Sequence, residues 1–287
     1  MNKSPRFSPG KLALYCFLLS AALFFALPLY VMLSSSFKSM AQIQQGDLLS
    51  LPWQWQTTAW RSAWSEACTG VACEGIRGGF WNSIAISVPA TLLPVALGAL
   101  NGYALTFWRK AYADTLFSLL LIAAFIPLQV MIFPLVKVLA ALGWYASLPG
   151  IVCVHTVFAL PMMSLLFRNY YLSIPQTLVQ AARVDGAGFW RIFLQLMLPM
   201  SLPMLAVAGI MQWTGVWNDY LLGLIFAGRD FAPMTVQLNN LITTTTGTRL
   251  YNVNMAATLL TAALPLLLYF VCGRWLVRGI TAGAVKG

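Results

Sequence analysis

Residues 174–199, IPQTLVQAARVDGAGFWRIFLQLMLP, form a polar, charge-bearing stretch between two long apolar segments. Pro175 suits the first turn of a helix. Gly186 and Gly188 interrupt the run that follows, and a second run carries apolar residues with helical spacing, namely Phe189, Ile192, Phe193, Leu196 and Met197. Apolar residues at such intervals describe one face of a helix. The stretch therefore predicts a helix, a glycine turn and a second helix, projecting from a membrane domain as a loop over 172–200.

The composition predicts an all-α polytopic membrane protein. The chain is 60% hydrophobic and 8% charged, with a mean hydropathy of +0.76. A bilayer core about 30 Å thick needs about 20 apolar residues per helix. Such stretches predict six transmembrane helices in one membrane domain over 1–287, at about 12–33, 82–106, 115–141, 148–171, 201–227 and 253–277.

The distribution of lysine and arginine predicts the orientation of these helices. With the N-terminus inside, eleven basic residues fall on the cytoplasmic side and include Lys3, Arg6, Arg109, Lys110 and Lys286. Five fall on the other side, namely Lys38, Arg61, Arg77, Arg229 and Arg249. Both termini and the 172–200 loop are therefore expected in the cytoplasm. The net charge of +10 follows from this topology, and we expect no nucleic-acid partner.

Two of the five cysteines, Cys68 and Cys73, lie in the external segment 34–80, in ACTGVACEG. An external location permits a disulfide, and the intervening Thr-Gly suits a tight turn. We expect no metal site, because His155, the single histidine, lies in the fourth span and is best explained as a packed, hydrogen-bonded side chain.

The fifth span carries an unusual polar and aromatic cluster, WTGVWNDY over 213–220. Ionisable groups inside a membrane are costly and are functional candidates by default. One interpretation is a translocation path for a sugar, built from Trp213, Trp217, Asn218, Asp219 and Tyr220, with the three aromatics on one helix face. The other is an aromatic belt at the membrane boundary, with Asp219 paired to a neighbouring helix. In the second span, Gly98 and Gly102 form a pair of small residues that suits close helix packing.

We expect no catalysis by this chain. The sequence has no G-x-x-x-x-G-K-[ST] loop, no HExxH and no GxSxG, so ATP binding of the P-loop kind is excluded.

The 174–199 stretch resembles the EAA loop of permease subunits from binding-protein-dependent ABC importers of the carbohydrate-uptake class. The matching residues are Ala181, Ala182, Asp185, Gly186, Ala187, Ile192, Leu198 and Pro199, and Gln180 replaces the family's glutamate. The resemblance implies the type I ABC importer permease fold. It also implies that the loop contacts a cytoplasmic ATPase through Gln180, Ala181, Ala182, Asp185, Gly186, Ala187 and Pro199.

The resemblance extends over essentially the whole chain, including the C-terminal RGITAGAVKG. It implies a bacterial inner-membrane complex of this chain, a second permease subunit, two ATPase subunits that bind ATP and Mg²⁺, and a periplasmic sugar-binding protein. The 213–220 cluster also looks like one found at this place in sugar permeases. The segment beginning at Cys68, CTGVACEGIRGGFWNS, resembles glucose/mannose-type permeases.

Three other interpretations remain. The 172–200 loop could be an amphipathic helix lying on the membrane surface. The chain could be an ion-coupled secondary transporter, which would need paired membrane carboxylates, or a membrane scaffold without a transport role.

Overall fold

A computed structural model describes residues 9–70, 72–108, 112–243 and 249–284, with side chains as far as Gly273. Every regular element in these ranges is helical. The helices are α1 Pro9–Ser36, α2 Met40–Gln44, α3 Thr58–Ser65, α4 Arg77–Phe107, α5 Ala113–Ala124, α6 Leu128–Ala141, α7 Leu148–Leu172, α8 Gln176–Val184, α9 Phe189–Ile192, a π-helical turn Phe193–Met197, α10 Leu198–Met200, α11 Leu202–Trp217, α12 Leu221–Phe226, α13 Met234–Thr243 and α14 Tyr251–Ala284. Five basic residues used above for orientation lie outside the described residues, namely Lys3, Arg6, Arg109, Lys110 and Lys286.

Four described helices are long and apolar enough to cross a membrane, namely Pro9–Ser36, Arg77–Phe107, Leu148–Leu172 and the Tyr251–Gly273 part of α14. Two further candidates are pairs of helices that meet at a bend, Ala113–Ala124 with Leu128–Ala141 and Phe189–Met200 with Leu202–Trp217. If each bent pair is one span, the described part of the chain has up to six, the number predicted from the sequence.

The third predicted span, 115–141, is not one continuous helix. The chain bends by 103° between α5 and α6. At the bend, the N–H groups of Phe125 and Ile126 donate to the carbonyls of Ile122 and Ala123. Pro127 explains the break, because a proline has no N–H to donate and disfavours helical geometry in the residue before it.

The fifth predicted span, 201–227, is likewise divided. Its helical part begins earlier, at Phe189, bends by 75° between Met200 and Leu202, and ends at Trp217. Pro203 has no N–H to donate to the carbonyl of Pro199, and the missing hydrogen bond helps to explain the bend. A separate short helix, α12, follows after three residues.

The chain forms two compact units, residues 1–76 with 238–262 and residues 77–237 with 263–287. In the first unit, the Lys38 side chain is 1% exposed, and its Nζ donates to the carbonyl of Asp47 at 3.0 Å. Asn252 donates to the carbonyl of Lys38. A disulfide joins Cys68 and Cys73 in the loop after α3.

The second unit is built on the contact between α4 and α7. Gly98 and Gly102 face α7, as the small-residue pattern predicts. A β-carbon at Gly98 would lie 2.8 Å from the carbonyl carbon of Met163, and one at Gly102 would lie 2.7 Å from Phe167 Cβ. These distances are shorter than van der Waals contact, so the two helix backbones approach closely only because these residues lack side chains.

Replacing Gly98 by Ala should destabilise the protein, because the added methyl group would overlap the α7 backbone. We expect a loss of about 1–3 kcal/mol, the usual cost of overpacking, measured as a lower thermal unfolding midpoint of the purified protein in detergent. Gly209→Ala in α11 is the matched control, because a β-carbon there would meet no heavy atom within 4 Å. Equal midpoints for the two variants would contradict a close α4–α7 approach.

Candidate functional site

The loop between α7 and α11 contains the predicted helix, glycine turn and second helix. Helix α8 ends at Val184, and Gly186 adopts a left-handed backbone with φ +77°. The Gly186 N–H donates to the carbonyl of Arg183 at 3.0 Å, and the Ala187 N–H donates to that of Ala182 at 2.9 Å. This pair of bonds is a Schellman motif, which satisfies the last carbonyls of a helix and favours glycine at the left-handed position.

Small side chains suit the same cap. The Schellman motif brings the residue after the glycine towards a residue in the last helical turn, and here those residues are Ala187 and Ala182. Both are partly buried against the apolar core of the second unit. The Ala182, Gly186 and Ala187 positions of the motif therefore have a structural explanation, namely the compact end of α8.

An aromatic and aliphatic core holds the loop against α4 and α7. Val179 of α8 is 2% exposed and Ile192 of α9 is 1% exposed. The Phe193 ring stacks on the Tyr103 ring of α4, with centroids 5.3 Å apart and 28° between the ring planes. Phe167 and Tyr171 of α7, both fully buried, complete the core.

Polar contacts fix the loop to the end of α4. Arg183 Nη2 donates to the carbonyl of Phe107 at 2.6 Å, and its guanidinium lies 4.6 Å from the centre of the Trp108 ring. The Trp108 indole donates to the Tyr103 hydroxyl, which donates to the carbonyl of Phe189. Because residues on both sides of the glycine turn are bonded to the end of α4, the turn is held against the second unit.

The opposite face of α8 is exposed. Helical geometry at 100° per residue places Thr177, Gln180, Ala181 and Val184 away from the buried Val179. All four are exposed, and the Val184 side chain is 88% exposed. The residues predicted to contact the ATPase differ in exposure. Those on the surface are Gln180, Ala181, Asp185, Gly186 and Pro199, whereas Ala182 and Ala187 are partly buried.

The second half of the loop continues towards α11 through the π-helical turn. Two neighbouring tyrosines of α7 hold the bend that follows. Tyr170 donates to the carbonyl of Met200 at 2.6 Å, and the Ser201 hydroxyl donates to the Tyr171 hydroxyl at 3.0 Å. A displacement of α8 would therefore reach α11 through bonded and packed groups rather than through a flexible linker.

The aromatic residues predicted to form a path are arranged differently. Trp213 and Trp217 stack with ring centroids 5.0 Å apart, and Trp217 is 1% exposed. Phe80 packs edge-on against Trp217. Tyr220 lies beyond the end of α11, so the predicted face shared by the three aromatics is wrong. Trp217 is therefore a packed, buried side chain, whereas Trp213 is only partly buried.

Asp219 lies in the break between α11 and α12, where its carboxylate faces His155 of the neighbouring helix α7. Its carboxylate accepts from the backbone N–H groups of Leu222, at 3.3 Å, and Gly223, at 2.8 Å. Its Oδ2 lies 3.9 Å from Nε2 of His155 in α7. Sequence reasoning missed His155 as part of this site, although a single histidine within a span was the available signal.

A cavity of about 350 Å³ lies between α7 and α11 in the second unit. His155, Gln212 and Asp219 are its hydrogen-bonding side chains, and Gly215 also faces it. The apolar lining consists of Phe158, Ala159, Met162, Met163, Met211, Val216 and Leu222. Of the predicted path residues, Asp219 alone lines this cavity.

Comparisons with known proteins agree with this architecture. The chain is 34% identical over 288 residues to an osmoprotective compounds uptake permease protein of Synechocystis, covering 96% of this chain and 92% of that one. It is 28% identical over 282 residues to a glucose import system permease protein of Saccharolobus solfataricus, covering 95% of both. A chain of a bacterial ABC transporter involved in the import of the acidic polysaccharide alginate has the same fold. The TM-score is 0.81 at 19% identity, over 94% of this chain and 99% of that one.

Residues 84–283 match the family described as the binding-protein-dependent transport system inner membrane component. This match confirms the family to which the sequence resemblance pointed, and it confirms that the chain is a transporter subunit rather than an enzyme. The protein belongs to the family of binding-protein-dependent transport system inner membrane components.

Proposed function

We propose that this chain is a membrane-spanning subunit of an ATP-driven sugar importer and provides half of its translocation path. The exposed face of α8 is the observation that carries the proposal. One side of α8 is fixed to α4 and α7, while the other presents a valine side chain that is 88% exposed. Leu178 and Ala181 of the same helix are also exposed, and neighbouring apolar side chains that stay exposed suit contact with a partner protein. The partners are two cytoplasmic ATPase subunits, which bind ATP and Mg²⁺.

The coupling mechanism follows from the contacts of the loop. Closure of the ATPase subunits on ATP binding displaces α8. Val179, Ile192 and Phe193 transmit that displacement to the membrane helices, and the bend at Ser201 passes it to α11. The cavity beside α11 then alternates between the two sides of the membrane. A second permease subunit and a periplasmic binding protein that delivers the sugar complete the complex.

The transported sugar is a monosaccharide, glucose or mannose. The segment from Cys68 to Ser83 resembles glucose/mannose-type permeases, and one relative is a glucose import permease protein. A cavity of about 350 Å³ lies at the lower end of the size range of small-molecule sites, about 300–1,000 Å³.

The first experiment tests the exposed face of α8. Val184→Asp should reduce co-purification of the ATPase subunits and ATP-dependent glucose uptake by reconstituted vesicles, because it places a charge in an apolar contact. We expect a loss of about tenfold or more, since an unpaired charge buried in an interface costs several kcal/mol. Mannose should compete with glucose for uptake by the unmodified complex.

Leu48→Asp is the control for this substitution. Leu48 is also an exposed apolar residue, at 54% exposure, in the segment before α3. ATPase co-purification should be unchanged in this variant. If Val184→Asp leaves co-purification and uptake intact, α8 does not bind the ATPase.

The second experiment tests the turn after α8. Gly186→Ala should lower uptake more than ATP hydrolysis, because a β-carbon at φ +77° costs about 1–2 kcal/mol and loosens the end of α8. Gly188→Ala is the matched control, because Gly188 has φ −80° and open space around its α-carbon. The measurement is the ratio of sugar transported to ATP hydrolysed. The same ratio in both variants would count against a coupling role for the cap.

The third experiment tests the orientation, in which the termini and the 172–200 loop are cytoplasmic. In a protein with Cys16, Cys153 and Cys272 replaced by Ala, Asp185→Cys should react with a membrane-impermeant maleimide in inside-out vesicles and not in right-side-out vesicles. Gln54→Cys, in the external segment, should show the reverse pattern. Labelling of position 185 in right-side-out vesicles would show that the orientation is the reverse of the one proposed.

A further inference from the structure

The cavity between α7 and α11 has the chemistry of a sugar site within this subunit. We propose that it binds one neutral monosaccharide directly, with Gln212, His155 and Asp219 contacting the sugar hydroxyls. The inference rests on the proposed function and deepens it, because a permease can line a path without contacting its substrate.

The three polar side chains retain unused hydrogen-bonding capacity. Gln212 Nε2 donates to the carbonyl of Ala90 at 3.2 Å, which orients the amide and leaves its oxygen as an acceptor. Each carboxylate oxygen of Asp219 accepts one backbone N–H and has a further lone pair. The 3.9 Å between Asp219 Oδ2 and His155 Nε2 is too long for a hydrogen bond, so both groups can bind a third partner.

The rest of the cavity is apolar and adaptable. Met162 and Met211 are each 49% exposed, and Phe158 lies beside them. Methionine adjusts its shape to irregular partners, and an apolar wall suits the C–H face of a sugar ring. An amide, an imidazole and a carboxylate among apolar side chains match a ligand that has both hydroxyls and C–H faces.

The negative charge of the Asp219 carboxylate selects against negatively charged ligands. No cluster of three or more histidine, cysteine or acidic side chains that could hold a metal ion occurs in the described parts of the chain. The Asp219 carboxylate accepts hydrogen bonds from hydroxyl groups but repels another carboxylate. The cavity therefore favours glucose or mannose over their uronic acids.

Gly215 provides a probe of the site. It lines the cavity, and a β-carbon there would meet no heavy atom within 4 Å. Gly209 lies on the same helix with the same open surroundings, but it does not line the cavity. A cysteine at either position can therefore be introduced without displacing a neighbour.

The experiment measures alkylation of Gly215→Cys in the complete importer in lipid nanodiscs, with Cys16, Cys153 and Cys272 replaced by Ala. Glucose should slow the reaction at position 215, by about tenfold at ten times its dissociation constant. Glucose should not change the rate at position 209 in Gly209→Cys. Glucuronate should not protect position 215 unless Asp219→Asn is also present.

A second variant tests the polar contact. Gln212→Leu should raise the glucose concentration needed for half-protection by about three- to tenfold, the effect of losing one hydrogen bond. Gln54→Leu, at an exposed position outside the cavity, should leave it unchanged.

The outcomes separate this inference from the proposed function. ATP-dependent glucose uptake without any protection of position 215 would overturn the sugar site and leave the importer function standing. Equal protection at positions 215 and 209 would also overturn the site. Absence of both glucose uptake and protection would overturn both.

Discussion

The close approach of α4 and α7 is the contact on which the rest of the second unit depends. Gly98 and Gly102 allow the two backbones to approach within a distance that no side chain permits. Membrane helices gain little from apolar burial alone, because lipid is as apolar as their side chains, so close backbone packing is a principal source of their association. At the end of this contact, Tyr103, Phe167 and Tyr171 form the surface on which the 172–200 loop packs.

That surface explains how a short helix can be both rigid and exposed. An isolated helix of nine residues is marginal in water, so α8 depends on its cap and its packing. The Schellman bonds at Gly186 end the helix sharply, and Arg183 ties it to the carbonyl of Phe107. With one face held in this way, Val184 and its neighbours are presented in a fixed geometry, which a partner can bind without an ordering cost.

Asp219 shows how one side chain can serve structure and chemistry together. Its carboxylate satisfies two backbone N–H groups at the start of α12. The same oxygens face His155 and the cavity. A carboxylate in this setting is tolerated because it has hydrogen-bond partners within the protein. Its removal would affect the α11–α12 break and the cavity lining at once.

The sequence by itself determined the apolar segments, the helix–glycine–helix loop and the close packing at Gly98 and Gly102, because these features depend on local composition and spacing. Only the tertiary structure decided the bends at Pro127 and Ser201, because the length of an apolar segment does not show where its helix changes direction. It also decided that Ala182 faces inward, that Trp217 is buried and that His155 lies beside Asp219. Such pairings join residues far apart in the chain, and their geometry depends on how separate helices pack.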